Sequence, residues 1–228
     1  MLPCKIGLKA GTKVRVRDAI SASIIKSAND AAVALAEAVS GSEQNFVKRM
    51  NIYAQKMGMY STNFTNSSGW HDKKQKSTSI DMAKLALAIK RDFPKQYKIF
   101  SETSFKFNKQ TYKSKNYITR YYPGAEGLKT GFHTPSGFNI MSSASFKDKD
   151  VVAVVSGGNS KVERDIRMVN LLDCYLGRKD SIKHKNFSYA QVKKKKKFKN
   201  LKKSKKTQLA KKINKQPTKK NKKAKKRA

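Results

Sequence analysis

The stretch Ile20-Ser21-Ala22-Ser23-Ile24-Ile25-Lys26-Ser27-Ala28-Asn29-Asp30-Ala31-Ala32-Val33-Ala34-Leu35 decides how the first half of this chain folds. Ile20, Ile24, Ala28, Ala31, Leu35 and Val39 recur at helical spacing, which predicts one buried face. The polar triplet Ser27-Ala28-Asn29 interrupts that run, so 14–39 reads as two helical pieces with a break between them. Working outward, a third helix is expected from Glu43 to Met57, capped by Ser42 and stopped by Gly58, with Phe46, Met50, Tyr53 and Met57 inward. Residues 61–77, rich in Ser, Thr, Asn and Gly around Trp70, read as a loop. A fourth helix runs from about Ser79 to Arg91 and stops before Pro94. Strands follow: a short alternating one at Phe105-Lys106-Phe107, another at Ala125 to Thr130, and a hairpin of Phe138–Ser145 and Val151–Ser156 over Lys147-Asp148-Lys149. Lys161 to Leu176 closes the body as a helix with Ile166, Val169, Leu172 and Leu176 facing in. Helices early and strands late suit an α/β sandwich: a helical cluster on an antiparallel sheet.

Two short motifs a hundred residues apart carry the chemistry. Taken singly, each has a structural reading. Asn29 suits the N-cap of a helix beginning at Asp30, whose charge favours the positive end of the dipole. Lys129-Thr130-Gly131 suits a strand end with a glycine turn. Taken together, a Ser-x-Asn (Ser27-Ala28-Asn29) followed by a Lys-Thr-Gly is the second and third signature of the penicillin-binding and β-lactamase group. The flanks narrow this further. Asp30-Ala31-Ala32-Val33-Ala34-Leu35-Ala36-Glu37, Gly58-Met59, Asp92-Phe93-Pro94, Gly127-Leu128, Ser136-Gly137-Phe138, Ser156-Gly157-Gly158 and Arg164 occur in an order that resembles the serine-type D-alanyl-D-alanine carboxypeptidases, the low-molecular-weight penicillin-binding proteins. The likeness spans roughly residues 6–177, and it implies a partial fold of the penicillin-binding-protein and β-lactamase type.

The resemblance implies roles residue by residue. Ser27 would assist proton transfer to a leaving D-alanine. Asn29 would hydrogen-bond the substrate's backbone amide. Lys129 and Thr130 would face its terminal carboxylate, and Gly131 would let the strand backbone approach closely. The backbone N–H of Phe132 would form half of an oxyanion hole. The first family signature, Ser-x-x-Lys, supplies the nucleophile and its neighbouring base about sixty residues before Ser-x-Asn. Only twenty-six residues precede Ser27, so the chain reads as an N-terminally truncated member whose Met1 is an internal start. The string Ser23-Ile24-Ile25-Lys26 matches the pattern literally, with Ser23 and Lys26 on neighbouring positions of one helix face. It abuts Ser27, however, and corresponds to an apolar helix in the family. No metal or cofactor is implied.

Charge divides the chain. Lys and Arg number 52 against 15 Asp and Glu, a net +37, and residues 193–228 hold 20 of the bases and no acid. The expected organisation is a truncated domain at 1–178, a linker at 179–192 and a Lys-rich tail at 193–228, a composition that disfavours a packed core and favours disorder. Such a tail suits anionic wall polymers or a membrane surface. No run approaches the length of a membrane span, and Met1-Leu2-Pro3-Cys4 lacks the pattern of a secretory signal. Family resemblance implies the periplasm or cell envelope, whereas a true start at Met1 implies the cytoplasm. Cys4 and Cys174, and His71, His133 and His184, show no metal-ligand spacing. Three partners follow from the resemblance: a stem peptide ending in D-Ala-D-Ala, β-lactams, and a separately made N-terminal half, for which exposed apolar surface should remain. The competing function classes are a non-catalytic wall- or membrane-binding protein and a chain that binds nucleic acid through the tail alone, the latter without any recognised motif.

Overall fold

The computed structural model describes residues 4–179. The tail at 193–228, all but the first residue of the linker at 179–192, and His184 lie outside the described residues.

The chain first builds a helical layer. Helix α1 (Val16–Ser21) passes directly into a π-helical turn at Ala22–Lys26. That wider turn is closed by Ser27, whose backbone is left-handed at φ 58° and ψ 43°, and by the Ala28 N–H donating to the Ala22 carbonyl at 3.1 Å. Left-handed geometry is strained for a residue with a Cβ, and π-helical turns gather at functional sites. Helix α2 (Asn29–Ser40) then starts at Asn29 itself, so Asn29 is not the cap; Ala28 occupies that place with no side-chain bond. Helix α3 (Glu43–Lys56) is capped as expected by Ser42, whose Oγ accepts from the Asn45 N–H at 3.2 Å.

The layer is held by small residues: Ala19, Ala22, Ile25, Ala28 and Ala31 are buried together, with Ile6, Leu8 and Leu35 packed around them. Two expected core positions are instead solvent-facing, Val39 at 53% and Tyr53 at 54% exposure. Val39 lies in the last turn of α2, past Ala36, where the buried stripe ends. In α3 the fully buried residue is Ala54, one position round from Tyr53, so the inward stripe is rotated by about 100°.

The sheet layer follows. Helix α4 (Ser79–Asp92) starts at Thr78, whose Oγ1 accepts from the Asp81 N–H, and yields to a short α5 (Pro94–Tyr97) opened by Pro94. A 3₁₀ turn (Lys98–Ser101) leads to an antiparallel hairpin of β1 (Ser104–Phe107) and β2 (Gln110–Lys113). Asn108 and Lys109 both have positive φ there, the requirement of a two-residue turn that follows the strand twist. Only β1 is foreseen in the sequence; β2 and the short α6 (Tyr117–Tyr121) are not.

Strands β3 (Ala125–His133), β4 (Gly137–Phe146) and β5 (Lys149–Gly158) form an antiparallel sheet in the order β3-β4-β5. Gly127, at φ +104°, sits against the 3₁₀ turn so tightly that a Cβ would lie 2.5 Å from the Phe100 carbonyl oxygen. This close approach fixes where β3, and hence Lys129, runs. Helix α7 (Lys161–Leu176) has the predicted bounds, capped by Ser160 and ended by left-handed Gly177. Both α4 and α7 pack on β5. Ala86, Tyr97, Leu128 and Met141 form the core of this layer. Tyr97 and Ser143 share a buried hydrogen bond of 2.8 Å, and Ser143 donates to Glu126 at 3.1 Å. Lys90 binds Glu126 and, at 2.6 Å, Asp150. The fold is thus α/β, a helical cluster joined to an antiparallel sheet. No helix among the described residues is long and apolar enough to cross a membrane.

Candidate active site

Ser27 and Lys129 meet across 102 residues of chain: the Lys129 ammonium donates to Ser27 Oγ and, at 2.7 Å, to the Thr130 carbonyl. Local structure on both sides prepares this contact. The π-helical turn ends in left-handed Ser27, and the Gly127 approach sets the course of β3.

A third segment locks the helical side. The Asp30 carboxylate, in the first turn of α2, accepts N–H bonds from Ile6 at 3.2 Å, Gly7 at 2.8 Å and Leu8 at 3.0 Å. Beside it, the Asn29 N–H donates to the Cys4 carbonyl at 2.8 Å. Residues 4–8 are therefore strapped to the start of α2. The charge-assisted bonds to Asp30 are the stronger kind. The strap brings Cys4 into the site, where its Sγ accepts from Lys115 Nζ at 3.3 Å.

The electrostatics single out Lys129. Burial, first, and then the positive charges of Lys115 and Arg164 pull its pKa from 10.5 down to about 8, with Cys4 opposing. At neutral pH it is still mostly protonated. Among the described residues no carboxylate pairs with it; its partners are a hydroxyl and a carbonyl. A half-buried cation without a protein counter-charge is costly to hold, and an anion could serve as its partner. Arg164, by contrast, is neutralised: its guanidinium holds Asp165 at 2.6 and 2.8 Å inside the protein. Burial pushes the Asp165 carboxyl up, and Arg164 works against that rise.

The remaining motif residues line the same strand and helix end. Asn29 is half-buried, and its side-chain amide makes no hydrogen bond among the described residues, which leaves its donors and acceptor for a ligand. Thr130 is half-buried next to Lys129. A Cβ at Gly131 would meet only Asn139 Cβ, at 4.0 Å, so the fold itself does not require glycine there. Open strand surface at that point is room for a ligand. Phe132 is 44% exposed, and its ring stacks on Phe138 at 4.2 Å between centroids.

Ser23 and Lys26 do not form a nucleophile–base pair: Ser23 Oγ donates to the Ala19 carbonyl at 2.9 Å, and Lys26 lies over the Tyr112 ring. His133 is half-buried and packs on His71 of the 61–77 loop, 4.8 Å between ring centroids. Among the described residues no three His, Cys, Asp or Glu side chains cluster as a metal site would need.

Arg164, Lys115 and Cys4 are site neighbours that motif reading does not supply. Arg164 does leave a signal. With Asp165 it stands one turn before Met168 and Val169, where the buried face of α7 calls for apolar residues. Lys115 and Cys4 leave none, because only the tertiary strap brings them in.

Comparison with known proteins gives the same picture. The family model for D-alanyl-D-alanine carboxypeptidase matches residues 3–160. D-alanyl-D-alanine carboxypeptidase DacA of Haemophilus influenzae is 38% identical over 170 residues, covering 74% of this chain and 43% of its own length. Penicillin binding protein 5 of Haemophilus influenzae superposes with a TM-score of 0.72 at 38% identity, over 75% of this chain and 50% of that one. Penicillin-Binding Protein D2 of Listeria monocytogenes, in its ampicillin-bound form, gives 0.68 at 28% identity, over 75% of this chain and 71% of that one. The chain thus spans about half or less of the Haemophilus proteins it matches. The chain belongs to the D-alanyl-D-alanine carboxypeptidase family.

Proposed function

We infer that this chain contributes two walls of a serine-type D-Ala-D-Ala carboxypeptidase cleft acting on peptidoglycan stem peptides. The observation that carries this reading is the Lys129–Ser27 contact, made by a cation with no carboxylate partner. Lys129, with the Thr130 hydroxyl, holds the substrate's terminal carboxylate. Asn29 binds its backbone amide, the Phe132 N–H serves as one oxyanion donor, and Gly131 leaves space for the peptide against β3. Ser27 passes a proton to the departing D-alanine. Its contact with Lys129 supports this role, because an ammonium with pKa near 8 donates and regains protons close to neutral pH.

The attack on the carbonyl needs an activated nucleophile. Ser23 and Lys26 are engaged elsewhere, so the isolated 228 residues bind substrate without turning it over. The ampicillin-bound form of the Listeria relative supports β-lactams as ligands of the same walls. A site in the cell envelope, with residues 1–178 as the domain, 179–192 as linker and the basic tail at 193–228 resting on anionic polymer or membrane, suits that substrate.

The test is calorimetric titration of the purified chain with an N-acylated peptide ending in D-Ala-D-Ala, with D-alanine release monitored in parallel. Saturable binding weakened at least about tenfold by Lys129→Ala, with no D-alanine released, is expected for loss of a charge-assisted contact. Binding indifferent to Lys129→Ala, or steady release of D-alanine, would overturn it.

A further inference from the structure

We propose that the surface formed by residues 4–17 and the β1–β2 hairpin is a docking face for a linear phosphodiester polymer without nucleobases. The two stretches are far apart in sequence and share one core cluster: Ile6, Leu8 and Val14 of the first, and Phe107 and Tyr112 of the hairpin, pack against the buried group that includes Phe105. The Cys4–Lys115 contact ties their ends.

Turning those apolar side chains inward turns lysines outward. Along 4–9 burial alternates, leaving Lys5 and Lys9 exposed, and Lys13 follows. On the hairpin, the register Ser104↔Lys113, Phe105↔Tyr112, Lys106↔Thr111 puts Lys106 and Lys113 on the face opposite the buried rings. Lys115 continues the face toward the cleft. Neither 4–17 nor 104–116 contains an acidic residue, whereas α3, α4, α7 and the β4–β5 turn all mix acids with bases. None of these six lysines is ion-paired among the described residues. The two arginines of the patch are already engaged, Arg15 with Asp18 and Arg17 with Glu102.

Lysine is a compact, hydrated point charge with three rotatable donors, and a row of lysines without acids suits the repeated phosphates of a polyanion. The occupant follows from what the face lacks. Single-stranded nucleic acid is held by stacking on exposed aromatic rings, and here Phe105, Phe107 and Tyr112 pack into the core. Insertion into a bilayer surface needs an exposed apolar face, and Val16 is the one large exposed apolar residue of either stretch. A polyol-phosphate chain needs neither. Its seat beside Lys115 would hold such a polymer next to the cleft containing Lys129.

The test uses the full chain and labelled poly(glycerol phosphate), with fluorescence anisotropy over a salt series. The face variant is Lys5→Gln, Lys9→Gln, Lys106→Gln, Lys113→Gln; the control replaces Lys193, Lys194, Lys195 and Lys196 with Gln. Circular dichroism confirms the fold of both. The face variant should bind at least about tenfold more weakly at 50 mM salt, its log–log salt slope flatter by about 3, as four lost phosphate contacts require. The control should lose less than half of that slope change. A face variant within twofold of the unmodified chain would overturn the proposal. So would single-stranded DNA of equal charge, or phosphatidylglycerol vesicles, binding more tightly and losing as much in the face variant. The readout is polymer binding, so its failure leaves the D-Ala-D-Ala reading untouched, and the converse also holds.

Discussion

Replacing Lys129 with methionine should stabilise the fold while removing the cation of the candidate site. The side chain keeps its length and packing but loses a charge that burial disfavours. The drop from 10.5 to about 8 corresponds to about 3 kcal/mol between the two protonation states. Against this stand the lost bonds to Ser27 Oγ and the Thr130 carbonyl, at about 1 kcal/mol each. A net gain of about 1 kcal/mol at pH 7 results. The sign of the pH dependence is fixed. With the folded pKa below the unfolded one, the unfolded chain holds more protons between pH 8 and 10.5, so stability of the unmodified chain rises across that window. Below pH 8 the full penalty is present, and above 10.5 it is gone. Urea denaturation of both proteins at pH 7, 9 and 10.5 measures this, and the gap should close as pH rises. A Lys129→Met protein that is less stable at pH 7, or a gap that does not change with pH, would refute the reasoning.

Three other perturbations have expected outcomes. Ser27→Gly relieves the left-handed backbone while Ser27→Ala keeps it, so the glycine variant should be more stable than the alanine variant by about 1 kcal/mol in thermal denaturation. Asp30→Ala removes the acceptor of three strap bonds and should lower stability by about 2–3 kcal/mol, with faster amide exchange at Ile6, Gly7, Leu8 and Asn29. Equal exchange in the two proteins would show the strap to be unimportant. Burial, and then His71, lower the His133 pKa, so His133 packs on His71 as a neutral ring above pH 6.5, and that form is lost as pH falls through the depressed value. Emission from Trp70, the chain's single tryptophan, should report a transition below pH 6.5 that His133→Gln abolishes.

Helix α7 was legible to the residue because three local signals coincide: the Ser160 cap, the apolar period and Gly177. Strand β2 was hidden because Gln110-Thr111-Tyr112-Lys113 has one inward residue, and its turn, Asn108-Lys109, lacks the glycine that usually marks such turns. The π-helical turn was hidden for a different reason. Ala22–Lys26 keeps an apolar spacing compatible with an ordinary helix, and its widening ends at left-handed Ser27, a conformation that serine does not announce. Tyr53 was misplaced because an aromatic outweighs alanine in any hydrophobic pattern, whereas close helix packing selects the smaller Ala54. In the site, Ser27, Asn29 and Lys129 were legible as motif members. The lowered Lys129 pKa was not, since it depends on burial and on Lys115 and Arg164 arriving from other elements.

The strap of residues 4–8 makes the Asn29 position a mechanical terminus as well as a chemical one. Whatever is attached ahead of Cys4 pulls through a single carbonyl on the Asn29 N–H and through one carboxylate on the start of α2. An affinity tag or surface tether placed there would load the backbone at Asn29 directly. The same load applied after residue 179 would enter through α7, whose last turn is held by Leu176 in the core and by Tyr122 on Asp173. Immobilisation for binding measurements therefore belongs at the far end of the chain, and the two orientations of attachment should report different affinities for the same ligand.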